Sequence, residues 1–92
     1  MSRHNTHRAD GNHWQIIHDF ERAGFIVEDI HNGGLADILV KGYQRPWIFE
    51  IKVHGKKLNK KQEIKHALWK SAINVIESAI EGIEIMQREA FR

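Results

Sequence analysis

The sequence predicts an α/β fold, a mixed sheet of four strands flanked by helices. Three observations predict it. The length of 92 residues suits one domain with a modest core. Segments with the apolar spacing of amphipathic helices alternate with short apolar runs typical of strands, and capping residues or glycines separate them. In chain order the segments indicate a helix, three strands, a helix, a strand and a helix.

The first helix follows a polar N-terminal arm. Residues 1–9 show no periodicity and are expected to form a loose arm, so the domain covers residues 10–92. Asp10 can cap the helix, and Gly24 is well placed to end it. One face of this helix carries the apolar side chains of Trp14, Ile17 and Phe20.

Three strands are predicted next. Residues 25–31, FIVEDIH, form the first strand, and Gly33 and Gly34 interrupt the chain after it. The runs LADILVKG and RPWIFEIKV form the other two strands, with turn chemistry around Gly42 and Pro46 between them. Because proline has no N–H to donate, Pro46 must lie at the start of a strand or at a sheet edge.

Capping signals mark the remaining elements. Residues 59–62, NKKQ, resemble a capping box and predict a helix to about Lys70. The apolar face of this helix consists of Ile64, Ala67 and Leu68. Residues 72–77, AINVIE, form a fourth strand, and residues 78–81, SAIE, are a second capping box that opens a final helix. Gly82 lowers the helix propensity of that last segment.

The apolar segments and the cysteine content bear on where the protein is found. No apolar stretch approaches the roughly 18 residues of a membrane span, and no signal-peptide pattern is present. The sequence contains no cysteine, which excludes disulfides, thiolate metal sites and cysteine nucleophiles. We therefore expect a cytoplasmic protein without a membrane partner.

The net charge of +2 conceals a local basic cluster. Half of the 14 lysines and arginines fall in one short region, in which Glu63 is the only acid. These residues are Lys52, Lys56, Lys57, Lys60, Lys61, Lys65 and Lys70. Such a cluster indicates a polyanionic partner, nucleic acid first. The alternative is a solvated, lysine-rich face.

The predicted hairpin brings acidic residues together. Glu50 and Lys52 share one face of their strand, because side chains alternate along a strand. Asp37 and Glu50 are equidistant from the midpoint between Tyr43 and Gln44. If the strands pair antiparallel about that point, Asp37 lies opposite Glu50 with Cβ atoms about 5 Å apart.

This arrangement indicates phosphodiester chemistry. Two carboxylates at that distance repel each other unless a cation lies between them, and Mg²⁺ takes hard oxygen ligands of this kind. Lys52 can then orient a water molecule or stabilise charge developing on phosphorus, and the lysines that follow can hold the phosphate backbone. The alternative is an ordinary exposed strand face at Glu50 and Lys52, with Asp37 as a turn residue.

The runs GGLADILV, FEIK and GKKLNKKQ, in this order, resemble the PD-(D/E)XK nuclease superfamily. Within it, the chain is most similar to small phage and bacterial proteins of the virus-type replication-repair nuclease (VRR-NUC) group. The likeness extends from about Asp10 to Ile80. It implies a restriction-endonuclease-like αβββαβ core.

The resemblance also implies roles for single residues. Asp37 and Glu50 match the two motif acids that bind Mg²⁺ or Mn²⁺, and the backbone carbonyl of Ile51 would be a further ligand. Lys52 matches the motif lysine. Gln62 matches a glutamine of the family, or is only the capping partner within NKKQ.

Some positions depart from the family pattern. Ala36 replaces the usual proline before the aspartate. Asn12 or His13 takes the place of a glutamate on the first helix and could bind metal only as a neutral ligand. Gly33 and Gly34 would let the backbone approach DNA or the metal closely, or form a plain turn. The expected DNA-binding lysines are Lys56, Lys57, Lys60 and Lys61.

The resemblance implies a metal-dependent endonuclease acting on DNA as a homodimer, in a bacterial or phage-infected cell. The resemblance also implies branched DNA or a four-way junction as the substrate, since some members of the group resolve four-way junctions. The chain of 92 residues carries no evident specificity domain, which fits recognition of DNA shape better than base readout. The alternatives are a non-catalytic nucleic-acid-binding module of the same fold, a nicking or RNA-directed nuclease, and a basic structural domain with another hairpin register.

The aromatic and histidine residues give weaker signals. Trp14, Trp47 and Trp69 are expected to be core or dimer contacts, and Glu21 to be a surface residue. The seven histidines show no zincin-like spacing on one helix and are expected at surface or partly buried positions. His54 is singled out because it faces the same way as Lys52.

Overall fold

The computed structural model describes residues 12–52, 57–69 and 72–91. Within these ranges the chain is an α/β protein with three α-helices and a mixed four-stranded sheet. In chain order the elements are α1 (His13–Arg22), β1 (Ile26–Asp29), a 3₁₀ turn (His31–Gly33), β2 (Ile38–Lys41), β3 (Pro46–Ile51), α2 (Lys60–Trp69), β4 (Ile73–Ile76) and α3 (Ala79–Ala90). The predicted order of elements is confirmed.

Local signals determine several of the element ends. Pro46 begins β3, as predicted. Gly24, two residues beyond the end of α1, has a φ of 99°, a left-handed conformation that favours glycine. The first strand is shorter than predicted, because a 3₁₀ turn begins at His31. Other predictions lie outside the described residues: the N-terminal arm, Asp10, Val53, His54, Lys56 and Lys70.

The sheet has the strand order β1-β2-β3-β4. The first three strands are antiparallel neighbours, whereas β3 and β4 are parallel and α2 lies between them in the chain. Ile38 pairs with Phe49 in the β2–β3 ladder. One step further, this register sets Asp37 opposite Glu50, and the Asp37 N–H donates to the Phe49 carbonyl at 3.1 Å. The predicted hairpin register is confirmed.

The hydrophobic core lies where α1 and α3 pack against the sheet. Phe20 of α1 is fully buried and stacks on Phe49 of β3, with 5.7 Å between ring centroids. Gly82 of α3 lies directly against Phe20, since a Cβ at this position would be 2.7 Å from its Cζ. Glycine lowers the helix propensity of α3, but it is required at position 82 because a side chain there would collide with the Phe20 ring. Ser78 caps α3 by accepting from the Glu81 N–H at 3.1 Å, as predicted.

Helix α2 forms as predicted but does not pack as an amphipathic core helix. It has no buried residue within its described range. The side chains of Ile64 and Leu68 are 55 % and 75 % exposed, and Trp69 is 46 % exposed. Of the other tryptophans, Trp47 is buried in the core and Trp14 packs at its margin. None of the described helices is long and apolar enough to cross a membrane.

Candidate functional site

Asp37 is fixed between β2 and β3. Its N–H donates to Phe49, and its Oδ2 accepts from the Ile51 N–H at 2.7 Å. One carboxylate oxygen is thus occupied by the neighbouring strand, which holds the side chain on the sheet next to Glu50. Asp37 is therefore part of the ladder and not only a turn residue after the glycines.

Glu50 is a buried carboxyl group at the centre of the site, only 6 % exposed. Burial and the nearby charge of Asp37 raise the pKa of Glu50 to about 7, against the opposing effect of Lys52. The Lys52 Nζ lies 4.0 Å from Glu50 Oε2. Two acids and one lysine therefore lie close together. The positive charge of Lys52 is not enough to cancel the effects of burial and of Asp37 on the pKa of Glu50.

Gln62 connects α2 to this pair. Its Nε2 donates to Glu50 Oε2 at 2.5 Å, while its Oε1 accepts from the Asn59 N–H at 3.0 Å. The Gln62 N–H in turn donates to Asn59 Oδ1 at 2.9 Å. The predicted capping box is confirmed, and the same side chain contacts the candidate site. The two interpretations of Gln62 are therefore compatible.

A pocket of about 360 Å³ opens over the two acids. Asp37 and Glu50 form one side, and Lys61 and Lys65 line the pocket from α2. Gly34 also lines it, with a φ of 82° that explains a glycine at this position. The pocket thus combines acids suited to a cation with lysines suited to an anion.

His66 also lines the pocket, although no role was predicted for it. Burial, together with the charges of Lys52 and Lys65, lowers its pKa, so the imidazole is neutral near pH 7. The signal that could have found it is its spacing. His66 follows Gln62 by four positions on α2, which places both on one helix face.

His13, the first residue of α1, lies beside Asp37. Its side chain is only 1 % exposed. The Nδ1 atom lies 3.9 Å from Asp37 Oδ1, and Nε2 lies 3.3 Å from Asp29 Oδ1 on β1. Asn12, the other candidate, immediately precedes α1, with its side-chain oxygen buried. The structure therefore brings His13 into the site.

Asp29 and His31 form a second group of polar side chains behind His13. The Asp29 Oδ1 is 2.5 Å from His31 Nδ1 and accepts from the His31 N–H at 3.2 Å. Partial burial opposes ionisation of Asp29, but the His31 hydrogen bonds and the charge of His13 lower its pKa overall. His13, Asp29 and His31 can offer one ligand atom each within 4.8 Å of one another, enough to hold a metal ion.

The remaining predicted residues lie around the pocket or outside it. Ile51 is buried at the end of β3. Gly33 belongs to the 3₁₀ turn and has open space where a side chain would lie. Lys57 and Lys60 are exposed near the start of α2, and Glu21 is exposed on α1, as expected.

Comparisons with protein-family models, with curated proteins and with solved structures gave no match to this chain.

Proposed function

We propose that this chain is a metal-dependent endonuclease that hydrolyses DNA phosphodiester bonds with a PD-(D/E)XK-type core of the VRR-NUC kind. The observation that carries the proposal is the group of side chains around Glu50 of β3. Asp37 lies opposite Glu50, Lys52 Nζ is 4.0 Å from the Glu50 carboxylate, and Gln62 of α2 donates to the same carboxylate. A basic pocket over these residues supports it.

The donor set of the site fits a hard divalent cation. Asp37 and Glu50 are carboxylates held close together in a largely buried place, and burial with mutual repulsion raises the pKa of Glu50 to about 7. Mg²⁺ and Mn²⁺ are the ions that such oxygen ligands prefer. Asp37, Glu50 and the Ile51 carbonyl would hold the ion. When bound, it would supply Lewis-acid chemistry and lower the pKa of a bound water.

The protein side chains contribute positioning and charge. The amine of Lys52, 4.0 Å from Glu50, is placed to stabilise negative charge developing at phosphorus. The amide of Gln62 holds the Glu50 carboxylate in one orientation. Lys61 and Lys65 on the facing helix provide positive charge for the phosphates on either side of the cleaved bond.

We further propose that the enzyme acts as a homodimer on branched DNA. The apolar face of α2, formed by Ile64, Leu68 and Trp69, is exposed in the single chain and would be covered by a second copy. A two-fold dimer carries two active sites related by symmetry, an arrangement suited to the paired strands of a four-way junction.

A non-catalytic nucleic-acid-binding module of the same fold is the second candidate. The buried His13 favours it, because a histidine and not an acid lies where the resemblance implies a ligand acid. A nicking or RNA-directed nuclease would keep the same site and differ in substrate.

A substrate panel tests the proposal. Labelled four-way junction, linear duplex, single-stranded DNA and RNA are incubated with protein and Mg²⁺ or Mn²⁺, with EDTA as the metal-free control. We expect metal-dependent cutting of the junction, reduced roughly 100-fold or more in Lys52→Met. Lys41→Met, which removes an exposed lysine from β2, is the matched control and should retain activity.

The panel also separates the candidates. Junction binding without cutting by any metal would establish the non-catalytic module. Cutting confined to RNA, or to one strand of a duplex, would establish the other nuclease classes. Equal cutting by Lys52→Met and wild type would contradict the role of Lys52.

A further inference from the structure

We propose that His13 Nδ1 is a nitrogen ligand of the ion bound by Asp37 and Glu50, and that Asp29 and His31 hold His13 in the tautomer and orientation this needs. The site would then favour Mn²⁺ or Co²⁺ over Mg²⁺. This inference rests on the metal site of the proposed function and adds to it one ligand, two positioning residues and a metal preference.

The burial of His13 between two carboxylates is the first observation. The imidazole is 1 % exposed, with Nε2 3.3 Å from Asp29 Oδ1 and Nδ1 3.9 Å from Asp37 Oδ1. Asp29 Oδ1 can only accept a hydrogen bond, so His13 Nε2 is the donor to it, and the lone pair that can bind an ion is on Nδ1. That lone pair is on the side of Asp37.

The separation of 3.9 Å between His13 and Asp37 is too long for a hydrogen bond. It suits two atoms that bind one ion. With metal–nitrogen and metal–oxygen bonds of about 2.1 Å, two ligands of one ion lie about 3 Å apart as neighbours and about 4.2 Å apart on opposite sides, so 3.9 Å falls within this range, at a wide angle. The gap between the two side chains is therefore of the size that a shared ion would fill.

Asp29 and His31 form the supporting layer. The His31 N–H and Nδ1 both contact Asp29 Oδ1, which fixes the oxygen that faces His13. The rings of Trp14 and His31 meet the His13 ring in edge contacts, with centroids 4.9 and 5.0 Å away. Histidine ligands commonly donate their second N–H to a carboxylate, which sets the tautomer and orients the ring.

A different arrangement would place the ion among His13, Asp29 and His31 themselves. Distance argues against it. His31 Nδ1 and Asp29 Oδ1 are 2.5 Å apart, a hydrogen-bonding contact shorter than usual. Neighbouring ligands of an octahedral ion with bonds of about 2.1 Å lie about 3 Å apart. Asp29 is thus engaged by His31 as an acceptor, and a positioning role suits it better.

The metal preference follows from the donor atom. Mg²⁺ binds oxygen ligands almost exclusively. Imidazole nitrogen raises the affinity for first-row transition ions, from Mn²⁺ towards Co²⁺. An imidazole ligand at His13 would therefore shift the site away from Mg²⁺, and removing the imidazole should narrow the difference in affinity between the two ions.

Electron spin-echo spectroscopy of Mn²⁺-loaded protein, together with calorimetric titration of Mn²⁺ and Mg²⁺, tests the inference. We expect wild type to show ¹⁴N modulation from one coordinated imidazole. His13→Gln should lose this signal and weaken Mn²⁺ binding more than Mg²⁺ binding. Thermal unfolding establishes that each variant is folded.

Asp29→Asn is the second variant, because its side chain is partly exposed and its substitution is tolerated more easily than a change at the buried His13. It should weaken Mn²⁺ binding roughly 10- to 100-fold, the usual cost of losing such a supporting group. Asp19→Asn on the exposed face of α1 is the matched control and should bind as wild type does.

Three results would overturn the inference. Mn²⁺ binding that needs Asp37 but shows no ¹⁴N modulation would remove His13 from the ligand set and leave the proposed function intact. Modulation from two imidazoles would place the ion among His13, Asp29 and His31. No binding of either metal by wild type would refute the inference and the proposed metal site together.

Discussion

Glu50 is buried beside a second acid, Asp37, and this position raises the pKa of its carboxyl group to about 7. Strand alternation and the hairpin midpoint were enough to predict that Asp37, Glu50 and Lys52 meet, because register is a local property of a short hairpin. The Asp29–His31 pair and His66 were not predicted. The position of His31 depends on the 3₁₀ turn after β1, and the position of His66 depends on how α2 packs over the sheet. Neither feature can be predicted from the spacing of residues along a single helix or strand.

The stability of the metal-free protein should fall as the pH rises through the titration of Glu50. Its pKa is raised from 4.5 to about 7 in the fold. Between these values the folded chain holds a proton that the unfolded chain has lost, so the contribution of Glu50 to stability decreases with rising pH and levels off above about 7. Glu50→Gln has no charge to bury and should escape this loss.

Thermal unfolding in EDTA at pH 5 and pH 8 measures the effect. The midpoint of Glu50→Gln should exceed that of wild type at pH 8, and the difference should shrink at pH 5. Glu63→Gln on the exposed face of α2 is the control and should show no such trend. A pH-independent difference at Glu50 would contradict the assigned titration.

At the scale of elements, capping residues predicted where α2 and α3 begin. Helix propensity and apolar spacing did not predict how these helices pack. The NKKQ and SAIE segments cap α2 and α3 as the sequence indicates. The glycine at position 82 could not be explained from the sequence, because the contact that requires it is with the Phe20 ring of another helix. The apolar spacing on α2 likewise predicted a buried face, yet Ile64 and Leu68 are exposed.

Gly82→Ala should destabilise the protein although alanine is the better helix former. Its Cβ would lie 2.7 Å from Cζ of Phe20, a fully buried ring that cannot move without disturbing the core. We expect a loss of roughly 1–3 kcal/mol in the free energy of unfolding, measured by urea titration. Gly33→Ala, which meets open space, is the control. Unchanged or increased stability of Gly82→Ala would contradict the packing at this contact.

At the scale of the whole molecule, α2 has an exposed apolar face, one of several places in the described ranges where large apolar side chains are exposed. A chain of 92 residues buries a modest core, and its helix between β3 and β4 presents Ile64, Leu68 and Trp69 outward. The capping box predicted the helix, and the resemblance implied a homodimer without specifying the surface that joins the two copies. The position of this face beside the pocket would bring two active sites into one assembly.

Leu68→Lys should shift the protein from dimer to monomer. The substitution places a charge at the centre of the proposed contact, where it would have to be desolvated on association. Sedimentation equilibrium over a range of protein concentrations measures the change. Ile80→Lys, at another exposed apolar position on α3, is the matched control and should remain dimeric. A wild type that stays monomeric at every concentration would contradict the proposed dimer.

The central claim is that Asp37 and Glu50 form the metal site of a DNA-cutting enzyme. The most direct measurement is the rate of cleavage of a labelled four-way junction in Mn²⁺ by wild type, Asp37→Asn and the surface control Asp19→Asn. We predict metal-dependent cutting by wild type and Asp19→Asn, and a loss of roughly 100-fold or more in Asp37→Asn. Cutting by Asp37→Asn at the wild-type rate, or junction binding by wild type without cutting, would contradict it.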